Sequence, residues 1–89
     1  MTLINLEDVQ KILLKYKPNI EPLDVYFYSE LMQWINSLTT INPEAILKDM
    51  IEEIDCYIKA AKKDKTLVWE NVYKFQKLII EEALSRITK

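Results

Sequence analysis

Residues 66–84 read TLVWENVYKFQKLIIEEAL, and how this stretch is divided decides the fold. With residues placed at 100° steps, Val68, Val72, Phe75, Ile79 and Ala83 cover about 80°, an ordinary core stripe for one helix. Beside them lie Trp69, Tyr73, Ile80, Leu84 and Ile87, which widen the apolar arc to roughly 180°. Gln76 falls inside that extension, where a polar residue fixes register or partner at some cost in stability. The narrow stripe is expected to face a core. The second edge, Trp69, Tyr73, Gln76, Ile80 and Leu84, is expected to be a partner-binding surface, because a chain of 89 residues has little room to hide two wide arcs.

Working outward, the string KKDKT at 62–66 interrupts the apolar periodicity without Gly or Pro, and a turn is expected there, with Asp64 or Thr66 as the next helix cap. Upstream, TTINPEAI at 39–46 offers Asn42 as N-cap, Pro43 at the first helical position and Glu44 at the positive end of the dipole. Leu47, Met50, Ile51, Ile54, Tyr57, Ile58 and Ala61 then trace a stripe about 120° wide through residues 43–63. Residues 22–38 begin with Pro22. They carry an apolar arc of about 200° through Leu23, Val25, Phe27, Tyr28, Leu31, Met32, Trp34, Ile35 and Leu38, which predicts a helix in the middle of a bundle. Residues 6–16 form the first helix, capped by Asn5 with Asp8 in a capping box and striped by Leu6, Val9, Ile12, Leu13 and Tyr16; Pro18 is expected to end it. Four helices near 6–16, 22–38, 43–63 and 67–87, joined by short links, predict one all-α domain over 1–89, an antiparallel four-helix bundle.

Zero glycine agrees with that expectation. Positive-φ caps, primed hairpin turns and phosphate-cradling loops all favour glycine, and Asn and Asp are the expected substitutes. Apolar residues at 49% and charged residues at 29% place the chain among folded proteins. The net charge of −2 gives no global attraction to nucleic acid or an anionic bilayer. Arg86 is the sole arginine, so bidentate readout of a guanine or phosphate is poorly equipped. No window approaches the roughly 20 apolar residues of a membrane span, and MTLINLEDV lacks the basic start of a signal peptide, so a cytoplasmic protein is expected.

The absence of histidine removes the usual base of serine and cysteine hydrolases and the Glu-x-x-His ligands of di-iron bundles. Cys56, the single cysteine, can form no internal disulfide; it stands opposite Leu47 and Ile54, close to Ala45 and Ala60, and is expected as a small packing residue. The acids Glu52, Glu53 and Asp55, facing Glu81 and Glu82, bear a resemblance to the magnesium-binding clusters of all-helical nucleotide pyrophosphohydrolases, but Cys56 occupies the place of a third acid in that pattern. A solvated acidic face is the simpler expectation. Lys59, Lys62, Lys63 and Lys65 form a basic cluster able to meet phosphate or RNA, at a helix C-terminus that favours cations in any case.

The functional expectation is therefore a small non-enzymatic protein-interaction module, without cofactor or metal, that binds itself or a protein partner through the second edge of the last helix. Magnesium-dependent nucleotide hydrolysis and phosphate or nucleic-acid binding by the lysine cluster are its alternatives. In size and class the chain resembles the compact helical immunity proteins of bacteriocins and phage-encoded inhibitors of host enzymes. Abundant Lys and Ile beside one Arg point to an AT-rich bacterial or phage genome.

Overall fold

The computed structural model describes residues 3–16, 19–38 and 42–88. Over these residues the chain forms four helices and no strand: α1 (Leu6–Tyr16), α2 (Pro22–Ser37), α3 (Pro43–Lys63) and α4 (Leu67–Ile87). These bounds match the periodicity of the apolar residues within a residue at every end. The capping box at α1 is present as expected, with the Asp8 amide donating to Asn5 Oδ1 at 2.9 Å and the Asn5 amide donating to Asp8 Oδ2 at 3.1 Å. At α2 the Asp24 carboxylate accepts from the Glu21 amide at 3.1 Å. Asn42 caps α3 only through its backbone, since its side chain makes no capping bond. Pro18, the expected terminator of α1, lies outside the described residues.

The turn at 64–66 forms, and it does so without glycine, asparagine or aspartate at its left-handed position. Lys65 adopts φ 58°. Two hydrogen bonds close the end of α3 in the Schellman pattern, Thr66 N–H to Ala61 carbonyl at 2.9 Å and Lys65 N–H to Lys62 carbonyl at 3.2 Å. They offset the cost of placing a side-chain-bearing residue in that region, about 1 kcal/mol. The Thr66 hydroxyl adds a third bond to the Ala61 carbonyl at 3.2 Å.

From this turn α3 and α4 run back along each other. Asp55 meets Lys77 and Tyr57 meets Tyr73, so residue numbers rise on one helix as they fall on the other, and the pair is antiparallel. Each has 21 residues, roughly 31 Å, whereas α1 has 11, roughly 16 Å. The middle position in the bundle belongs to α4, which packs against α1, α2 and α3. The sequence assigned that position to α2. Instead Leu23, Tyr26, Phe27 and Trp34 of α2 are exposed, and its buried side is Tyr28 and Ile35, followed by Leu38. A 200° apolar arc reports how much grease a helix carries, not how many neighbours the chain supplies to cover it.

The core lies at the end of the bundle where α1 reaches. Ile4, Val9, Leu13, Ile35, Leu47, Ile79 and Ile80 are fully buried. Two polar side chains close this end. Asn36 Oδ1 accepts from the amides of Leu3 and Ile4 at 2.9 and 3.1 Å, and its Nδ2 donates to the Ile4 carbonyl at 2.7 Å. Arg86 pairs with Asp8 at 2.8 Å and with Glu82 at 3.4 Å while donating to the Leu3 carbonyl at 2.9 Å. The lead-in of Leu3 and Ile4 is thus held by α2 and α4 together.

Candidate functional site

What divides α4 is height along the helix. Its buried residues, Ile79, Ile80 and Ala83, all fall in the C-terminal half, level with α1. Toward the turn the same helix is bare: Leu67, Val68 and Trp69 are 65%, 74% and 53% exposed. The expected core stripe and the expected partner edge are each cut across by this boundary. Val68, expected in the core, faces solvent, and Ile80, expected at the partner edge, lies wholly inside this chain's own core. Of the remaining edge residues, Tyr73, Gln76 and Leu84 are half-buried and Trp69 is exposed.

At the bare end three rings run in series. The Trp69 indole stacks on Tyr73, with centroids 6.1 Å apart and planes 29° from parallel, and Tyr73 meets Tyr57 of α3 at 5.5 Å. Tyr57, expected in the core stripe of α3, is 49% exposed, because α3 faces no third helix at that level. A hollow of about 210 Å³ opens between them, floored by Ala60 and Ala61 and edged by Thr66. Leu23, Tyr26 and Phe27, exposed on α2, belong to the same end of the bundle. Tyr28 packs edge-on against Phe75 at 6.2 Å, and Asn36 lies at the Leu3–Arg86 end, so α2 starts near the α3–α4 turn. The signal that could have located this end is the inequality of helix lengths: α1 stops two turns short of anything that could cover residues 67–69.

The acidic residues do not converge. Lys77 donates to Asp55 Oδ1 at 2.7 Å and stands 3.9 Å from Glu81, a placement that raises its pKa above the usual lysine value chiefly through the bond to Asp55. Glu82 is engaged by Arg86. Among the described residues no group of three or more acids, histidines or cysteines is disposed to hold a metal ion. Cys56 is exposed, not packed, because the outer face of α3 meets no other helix.

The lysine cluster divides. Lys65 forms the turn and Lys63 points to solvent, while Lys59 and Lys62 line a larger groove, about 660 Å³, between α3 and α4. Ile58, Phe75 and Leu78 form its apolar floor. Arg86, whose planar fork is the group most suited to phosphate, is held by Asp8, Glu82 and the Leu3 carbonyl; its pKa is raised and that of Asp8 lowered, in both cases first by their mutual hydrogen bond. No helix among the described residues is long and apolar enough to cross a membrane.

No protein-family model, no curated protein and no solved structure matches this chain.

Proposed function

We propose that the chain is a non-enzymatic protein-binding module that docks through the bare end of the α3–α4 hairpin, with self-association as its simplest form. The observation that carries this reading is the run Leu67, Val68, Trp69, three consecutive large apolar residues more than half exposed in the first turn of α4, backed by the Tyr73 and Tyr57 rings. Exposed apolar side chains scattered singly are ordinary, but three aromatic rings in contact at an uncovered end, Trp69, Tyr73 and Tyr57, mark an association site. Trp and Tyr are also the residue types that dominate interface energies. The first turns of a helix need no covering to remain helical when the next turns are packed, so the apolar character of Leu67 and Val68, 65% and 74% exposed, stabilises little within the monomer.

Light scattering across a concentration series tests the reading. The protein is expected to exceed its monomer mass of 10.6 kDa as concentration rises. Trp69→Ala combined with Val68→Ala should weaken association by more than about tenfold, the effect of losing one aromatic anchor, with the helical circular dichroism unchanged. A 10.6 kDa species at every concentration, in both proteins, would refute self-association through this end.

A further inference from the structure

We propose that the groove between α3 and α4, on the side away from Trp69, binds an acidic amphipathic helix of a partner protein, about three turns long. The groove continues the path of α1. A shallow hollow where Ile12 and Lys15 of α1 approach α4 shares Leu78 and Glu81 with the groove, so the same side of α4 that receives α1 runs on, uncovered, toward the turn. Along it Asn71, Lys74, Leu78 and Glu81 stand at spacings of three, four and three residues, a strip roughly 15 Å long. That is close to the length of α1 itself, and helices seat in such furrows between two others. A helix arriving in line with α1 would bury its apolar side on Ile58, Phe75 and Leu78.

Charge specifies the partner. The groove carries Lys59, Lys62, Lys74 and Lys77 against Asp55 and Glu81, four cations to two anions, on a chain whose total is −2. Lys77 is committed to Asp55 at 2.7 Å and Lys74 lies 3.8 Å from Glu70, whereas Lys59 and Lys62 have no ion pair among the described residues. A local excess of the sign opposite to the whole chain selects a partner with acids flanking its apolar seam and repels a basic one. The site faces away from the Trp69–Tyr73–Tyr57 rings: Asn71 and Leu78 project from α4 about half a turn away from Trp69, while Leu67 stands one turn beyond Asn71 in line with the groove.

The probe is a displayed library of 14-residue helical peptides, selected on the full-length protein and counter-screened on a Lys59→Glu, Lys62→Glu variant, both changes at exposed positions. Selected peptides should carry Asp or Glu on both sides of an apolar stripe and shift the amide resonances of Asn71, Lys74 and Leu78. They should lose on the order of tenfold in affinity to the double variant at low salt, with the difference shrinking as salt rises. Val68→Ala with Trp69→Ala should bind them unchanged, so that failure here and failure of the self-association reading give different results. Enrichment of basic or neutral peptides, equal affinity for the double variant, shifts confined to Tyr57 and Trp69, or displacement of every peptide by dodecyl phosphate or a short DNA oligonucleotide that itself fills the groove would overturn the proposal.

Discussion

Replacing Asn36 by alanine is expected to be among the most destabilising single changes that remove no apolar contact. Its carboxamide makes three bonds to the backbone of Leu3 and Ile4, at 2.9, 3.1 and 2.7 Å, across more than 30 residues of sequence. At about 1 kcal/mol net for each, in a site that is only partly buried, the direct loss is about 2–3 kcal/mol. The amides of Leu3 and Ile4 have no helix to fall back on, since α1 begins at Leu6. Ile4, fully buried, then loses the anchor that holds it against Ile35 and its neighbours. For a domain of this size such a loss lowers Tm by roughly 10–20 °C. Urea unfolding followed by circular dichroism measures it, and amide exchange at Leu3 and Ile4 should accelerate under native conditions. Asn36→Asp retains the acceptor for both amides but sets an oxygen against the Ile4 carbonyl, so it should fall between alanine and the parent. A change below about 0.5 kcal/mol for Asn36→Ala would show that the lead-in segment is held by Ile4 packing alone, and the reasoning would fail.

Ile80→Ala should cost about 2–4 kcal/mol because it opens a cavity in a core that has no exposed route for relaxation, while Val68→Ala should stay within about 0.5 kcal/mol; comparable values for the two would mean that α4 is covered along its whole length. Acid should remove the Asp8–Arg86 contribution. The Asp8 pKa is held below the ordinary aspartate value of 3.8, chiefly by the hydrogen bond from Arg86, so this stability is present above about pH 4 and lost as pH falls through the lowered value. Asp8→Asn should flatten the acid limb of a stability-versus-pH curve, and an unchanged limb would count against it. Alkali should act through Tyr28, whose phenol is pushed up to about 12 by burial. A raised folded value means stability fully present below the unfolded value of 10.0 and lost as pH climbs toward 12, up to about 2–3 kcal/mol. Tyr28→Phe should remove that contribution, seen as a shallower decline between pH 10 and 12 than in the parent, with the loss from Lys77 remaining.

The first three helices were legible because their starts carry local chemistry: Asn5 with Asp8, Pro22 with Asp24, Pro43 after Asn42. These signals act over three or four residues and need no tertiary context. Which face of each helix is covered was not legible in the same way. Val68 and Ile79 share a stripe by periodicity, yet one is bare and the other fully buried, because coverage depends on where α1 ends and not on angle around α4. Type and spacing marked Trp69, which is exposed, but placed Tyr57 in the core and Ile80 at the surface, where the structure has the reverse, again because coverage follows height along the helix. Lys65 in the left-handed region was invisible to composition, since the Schellman bonds that hold it come from the backbone and not from a side chain. Asn36 gave no signal either: a polar residue on a polar flank announces nothing about a segment more than 30 positions away.

The bond from Arg86 to the Leu3 carbonyl joins positions 83 residues apart and brings both ends of the chain to one pole of the bundle. A tag, a tether or a neighbouring domain joined at either terminus would therefore leave from that pole, some 30 Å from the Leu67–Trp69 surface at the other. Immobilising the protein by either end should present the apolar pole outward with equal freedom. A loop of a few residues from Thr88 back to Leu3 would also permit reopening the chain at the Asp64–Thr66 turn, a rewiring that keeps Ile87 against the core and splits only the hairpin.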